Sequence, residues 1–151
     1  MSANAGVGFG YNTANIPLYT SGNSPSGYVT IGNTAVVTYS NVANVGTDVI
    51  VSTNGNIALV GNVSYNLIAT AASGGPSYSS GINGATLQFF NATANAYIGV
   101  AQTFDAMPLI VTFTPNVNST LQLVLTGRGG NKFQYPDTLT GATVQAIEVN
   151  G

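Results

Sequence analysis

Apolar residues along this chain come in short runs that alternate with polar ones, and each run ends at a turn. Val111 and Phe113 interleave with Thr112 and Thr114, and Leu121, Leu123 and Leu125 with Gln122 and Val124. A period of two puts alternate side chains on opposite faces of an extended segment, so the runs predict half-buried strands. They are Tyr28–Ile31, Ala35–Tyr39, Asp48–Ser52, Ile57–Val60, Ser64–Thr70, Ala85–Asn91, Ala96–Gln102, Leu109–Thr114, Thr120–Thr126 and Ala142–Val149. Gly-Asn, Asn-Gly, Gly-Gly-Pro and Thr-Pro-Asn lie between them. These are turn sequences, because Gly and Asn accept left-handed backbone and Pro presets φ. Regularly spaced strands with such turns, and no sustained 3.6-residue stripe, predict an all-β sandwich or barrel. At most one helical turn is expected, over Ala92–Tyr97.

The connections narrow the choice. Ala72–Asn83 (ASGGPSYSSGIN) is long and small-residue-rich between two strands. That suits a loop crossing the end of a two-sheet jelly roll, whereas an up-and-down barrel needs short hairpins throughout. No fixed-period repeat is visible, which disfavours a β-helix or propeller. Residues 1–26 are rich in Gly, Asn, Ser and Pro and show no period. They nonetheless carry Phe9, Tyr11, Ile16, Leu18 and Tyr19, too many apolar groups for a solvated tail. They read as an extended arm that docks on its own body or on a neighbour, ahead of a jelly-roll domain over residues 27–151.

Composition limits the chemistry. Only 4% of the 151 residues are Asp, Glu, Lys or Arg, against about 25% in an ordinary domain. His and Cys are absent, so there is no proton shuttle poised near neutral pH and no thiolate. Two basic residues cannot neutralise enough phosphates for tight nucleic-acid binding, nor hold an anionic membrane surface. No run approaches the roughly 18 apolar residues of a membrane-spanning helix. The opening MSANAGVGFGYNTANIPLY has neither the basic region nor the apolar core of a secretory signal. A net charge of −2 leaves little electrostatic repulsion between copies, which favours association.

Individual motifs point the same way. Gly6-Val-Gly8-Phe-Gly10 lacks the spacing and the preceding strand of a dinucleotide loop and reads as arm flexibility. Arg128 and Lys132 form the sole basic cluster, a hairpin tip or an electrostatic pin onto an acidic partner. Ser64, Ser79, Ser80 and Thr103 have no imidazole to activate them. The four acids Asp48, Asp105, Asp137 and Glu148 are far apart in sequence, and a glycosidase would need two to converge at roughly 5–10 Å. No cofactor and no metal site is expected. Tyr65, Phe89, Phe90, Tyr97 and Phe113 are candidate core or subunit-interface residues. Phe89 and Phe90 must face opposite sides of one strand, so one lies inward and the other needs a second apolar contact.

Residues 54–102 also carry a family pattern. NGNIALVGNVSYNLIATA places Ile57, Leu59, Gly61, Tyr65, Leu67 and Ala69; a Gly/Ser loop then leads to Phe89, Phe90, Asn91, Ala92, Thr93, Ile98 and Gly99. This resembles jelly-roll domains of the C1q/TNF-like type, especially those of phage and other virus structural proteins. TPNVNSTLQLVLTG and ATVQAIEVNG resemble the late strands, so the likeness covers roughly residues 48–149. It implies two packed sheets, frequent homotrimers with apolar side chains along the threefold interface, and no catalytic residues. The combined expectation is a non-enzymatic virion structural protein: a capsid decoration or cement protein on the shell exterior, bound to the major capsid protein or another virion protein. It would be a homo-oligomer, as a trimer or a dimer. The alternative is a fibre or spike head that recognises a host-surface glycan or receptor.

Overall fold

The computed structural model describes residues 6–12, 16–18, 34–74, 85–103, 108–127 and 138–149. Within them the chain is all-β, with twelve strands and no helix. The strands are β1 (Val7–Tyr11), β2 (Ile16–Pro17), β3 (Thr34–Val36), β4 (Asn41–Val45), β5 (Val49–Val51) and β6 (Ile57–Leu59). They continue with β7 (Tyr65–Gly74), β8 (Thr86–Asn91), β9 (Ala96–Thr103), β10 (Leu109–Phe113), β11 (Ser119–Thr126) and β12 (Thr138–Glu148).

Two antiparallel sheets result. The first runs β10-β7-β12-β1-β4, with β2 added to β12; the second runs β5-β6-β11-β8-β9, with β3 added to β11. The pairings are nested: β1 with β12, β6 with β11, β7 with β10, and β8 with β9 innermost. That is the path of one long hairpin rolled into a two-sheet jelly roll. As expected, the connection after β7 switches sheets, although β7 itself continues through Ala72, Ser73 and Gly74.

The core lies between the sheets, and its two walls differ in size. The second sheet contributes Val49, Val51, Ile57, Leu59, Leu87, Phe89, Leu121, Leu123 and Leu125. Facing them, the first sheet offers Tyr65, Leu67 and Leu109 but also Ala69, Ala142, Ala146, Gly8 and Gly10. Large against small lets the sheets interdigitate at native density. Gly8 is the extreme case: a Cβ there would lie 2.6 Å from Val49 Cγ1 and 2.7 Å from Val51 Cγ2.

This corrects the arm. Val7–Tyr11 is an interior strand of the first sheet, flanked by β12 and β4, so the sandwich begins well before residue 27. The stretch does alternate, but its inward positions are Gly8 and Gly10. A hydrophobicity pattern therefore registers only the outward Val7, Phe9 and Tyr11. Leu18, expected to contact a partner, is in the core at 3% exposure. Ile16 pairs through its backbone with Leu139. Strands β1 and β4 were not foreseen, and the run expected at Ala35–Tyr39 is strand only through Val36. The expected strand Tyr28–Ile31 lies outside the described residues.

Ala92–Asn95 forms a hairpin turn in place of a helical turn. Asn91 Oδ1 accepts from the Thr93 and Ala94 N–H groups at 3.0 and 3.1 Å, and Asn95 takes a left-handed φ of 53°. An Asx side chain that holds the next two amides, followed by a left-handed Asn, reverses the chain without glycine.

Candidate interaction surfaces

One side of the sandwich is clasped by a side chain. Asn44 on β4 donates its amide to the Val51 carbonyl at 3.1 Å and accepts the Val51 N–H at 2.8 Å. Its amide thereby acts as an extra strand residue and ties the edge of one sheet to the edge of the other.

The opposite side, where β9 and β10 are the sheet edges, is built differently. Between Leu87 and Phe89 on β8 the register with β9 shifts, from Gln102 to Ile98. The intervening Gly99–Ala101 bulge outward, with Gly99 at φ +70° and its carbonyl held by Gln88 Nε2 at 2.8 Å. Bulges in edge strands redirect side chains and interrupt pairing. Here Val100 is thrown into solvent, 82% exposed, and Ile110 on β10 is 66% exposed. The two line a shallow groove of about 390 Å³ with Gly99, Gln102, Pro108 and Val111. Exposed apolar side chains grouped in this way mark interaction surfaces more often than scattered single ones do.

Phe89 is fully buried, and Phe90 lies on the outer face of the second sheet, as their adjacency requires. Phe90 meets Tyr97 across the β8–β9 pair, edge to face, with centroids 5.0 Å apart. Its second apolar contact is therefore inside the chain. Tyr97 is a surface residue at 48% exposure and not core. Phe113 packs partly buried against the core.

The outer face of the first sheet holds a second feature. Phe9 and Tyr11, two residues apart on β1, stand side by side with ring centroids 5.4 Å apart and tilted 42°. With Asn12, Thr70, Ala71, Gly141, Ala142 and Thr143 they line an open hollow of about 570 Å³. Thr70 and Thr143 share a hydroxyl–hydroxyl hydrogen bond of 2.5 Å. Asn12 accepts the Ser40 N–H at 3.1 Å, while its own Nδ2 is buried without a partner. An unmade bond of that kind costs about 1–3 kcal/mol.

Two of the four acids meet. The Asp48 side chain, together with burial, holds the Glu148 carboxyl above its usual range. Glu148 is 6% exposed and its Oε2 has no hydrogen-bond partner. Tyr65 lies below them, fully buried. Its hydroxyl donates to the Asp48 carbonyl at 2.9 Å and accepts the Val60 N–H at 2.9 Å. Burial pushes the phenols of Tyr65 and Tyr39 above their ordinary values, and the Tyr39 hydroxyl has no partner.

Ser64 Oγ is bonded to Thr114 Oγ1 at 2.6 Å, a cross-strand pair of hydroxyls with no base beside it. Among the described residues no three acidic, His or Cys side chains come together in a way that could hold a metal. Tyr19, Arg128, Lys132, Asp105 and Asp137 lie outside the described residues. Neither the bulge at Gly99 nor the hollow at Phe9 was anticipated. The sole sequence signal for the hollow was the Val-Gly-Phe-Gly-Tyr alternation.

No protein-family model and no curated protein matches the chain. Among solved structures it is similar to the crystal structure of FLHE, with 11% identity over 98% of this chain and 100% of that one, at a TM-score of 0.45. It is also similar to the CBM22-1 xylan-binding domain of Paenibacillus barcinonensis Xyn10C, with 12% identity over 93% and 97% of the two chains, at a TM-score of 0.34.

Proposed function

We propose that this protein is a non-catalytic structural subunit that works by association, and that its setting is the exterior of a virion. Copies join along the β9–β10 seam, as a trimer or a dimer, and the assembled body decorates the shell through contacts with the major capsid protein or another virion protein. The observation that carries the reading is the bulge that exposes Val100 beside Ile110. An edge strand that spends a left-handed glycine to present valine to water gains from that arrangement only when the valine is covered.

Supporting it are the near-absence of charge, which removes electrostatic barriers between like copies, and the nested jelly-roll path, which agrees with the C1q/TNF-like resemblance. Contacts of this kind are individually weak and gain strength from symmetry and repetition. Screening acts on charges, so the association persists in molar salt.

Light scattering on the full chain tests it. The wild type is expected to be oligomeric in low and in molar salt. Val100→Asp and Ile110→Asp shift it to monomer with an unchanged melting temperature, since both side chains lie outside the core. A wild-type monomer at every accessible concentration refutes the reading. The virion setting has its own test in mass spectrometry of purified particles and in the neighbouring reading frames. A major capsid gene alongside supports decoration, and tail-fibre genes point instead to a head domain.

A further inference from the structure

We propose that the hollow on the outer face of the first sheet is a binding site for a neutral carbohydrate, with one sugar ring seated against Phe9 and Tyr11. The ligand class follows from the lining. Two aromatic rings 5.4 Å apart form one wall and offer π-faces to the C–H face of a pyranose. The floor is backbone around Gly141, where a Cβ would meet nothing within 4 Å, so a ring can approach the sheet. Thr70 and Thr143 keep hydrogen-bonding capacity beyond their mutual bond. The volume, about 570 Å³, falls within the roughly 300–1,000 Å³ of small-molecule sites.

Other occupants fit less well. Among the described residues no charged side chain lines the hollow, so none of them offsets the desolvation of an ionic ligand. A purely apolar ligand would desolvate the remaining hydrogen-bonding capacity of the two threonine hydroxyls without replacing it. A peptide cannot add as a strand, because both edges of β1 are already taken by β12 and β4. A neutral sugar has one apolar face and a hydroxyl rim, which match the aromatic pair and the two threonine hydroxyls.

Gly141 gives a clean test. A Cβ at this position meets nothing within 4 Å, so a larger side chain grows into the hollow without striking the protein. The site is also independent of the seam proposed for association. β1 lies three strands from β10, about 14 Å at the ordinary strand spacing.

The full-length protein is applied to an array of neutral glucose, galactose, mannose, xylose and N-acetylhexosamine oligosaccharides alongside sialylated and sulfated glycans. Neutral hits are then titrated by calorimetry. Binding to neutral glycans is expected. Tyr11→Ala and Gly141→Leu should each weaken it by about ten-fold or more, and Gly141→Leu should keep the wild-type melting temperature. Absence of hits, hits confined to acidic glycans, or unchanged affinity in Gly141→Leu overturns the proposal. If Tyr11→Ala fails to fold, Gly141→Leu decides alone. Light scattering on Gly141→Leu separates the two readings, since loss of sugar binding with intact association leaves the structural role standing.

Discussion

Replacing Gly8 by alanine adds one methyl group at the tightest point between the two sheets. Its carbon would sit 2.6 Å and 2.7 Å from methyls of Val49 and Val51, where carbon atoms ordinarily rest about 3.5–4.0 Å apart. An overlap near 1 Å must be relieved. Val49 and Val51 are 0% and 1% exposed and β-branched, so neither can rotate away. Overpacking of this kind costs about 1–3 kcal/mol. Loss of glycine's backbone freedom in the unfolded chain returns about 0.5–1 kcal/mol.

The net is a loss of up to about 2.5 kcal/mol, a fall of as much as about 10 °C in melting temperature for a domain of this size. Calorimetry or circular dichroism of the purified variant reads it. Val49→Ala, made alone, removes two buried methyl groups and costs roughly 1.6 kcal/mol or more. Combined with Gly8→Ala, the new methyl occupies the space vacated. The double variant should therefore lose less than the sum of the singles, with a coupling of about 0.5 kcal/mol or more. A stabilised Gly8→Ala, or strict additivity in the double variant, would refute the close approach and return Val7–Tyr11 to the status of a loosely held arm.

Three further outcomes are expected. Tyr65→Phe keeps the ring but leaves the Val60 N–H and the Asp48 carbonyl without the hydroxyl that now joins them. It should cost about 1–3 kcal/mol in denaturant titration, with an unchanged slope. Phe89→Ala, deep in the core, should cost about 3–5 kcal/mol and leave much of the population unfolded on warming. Glu148 has a folded pKa above its unfolded value. Its contribution to stability is thus complete below about pH 4.5 and is lost as pH climbs through the raised folded value. The melting temperature should decline over that interval, and Glu148→Gln, which holds an uncharged group in the same place, should flatten the profile. A wild-type profile that rises there contradicts the assignment.

Much of the second sheet and half of the first were legible in the sequence, because their strands present large apolar residues inward at every second position. Leu121, Leu123 and Leu125 announce β11, and Tyr65, Leu67 and Ala69 announce β7. Strand β1 was hidden because its buried positions are glycines, which carry no hydrophobic signal. Strand β4 was hidden because its residues are exposed and its role is carried by the amide of Asn44. The interaction surfaces were harder still. Val100 sits in an apolar run and reads as core, since only the register shift against β8 reveals that it points outward. Tyr97 is outward because it pairs with the outward Phe90 across β8 and β9. The convergence of Asp48 and Glu148 depends on pairing between β12 and β7 and on the turn before β5, which no local pattern encodes.

The nested pairing has a consequence for how the molecule comes into being. Val7 lies beside Ile147, and β12 also supplies the partner of β7. A ribosome releasing this polypeptide must therefore emit nearly the whole of it before the earliest strand finds its place. Closure of so long a loop is slow, and until it happens the edges of β1 and β7 that face β12 stay open. Production of intact material should thus depend on chaperone protection during synthesis, and removal of residues 138–149 should yield aggregate in place of a smaller working unit.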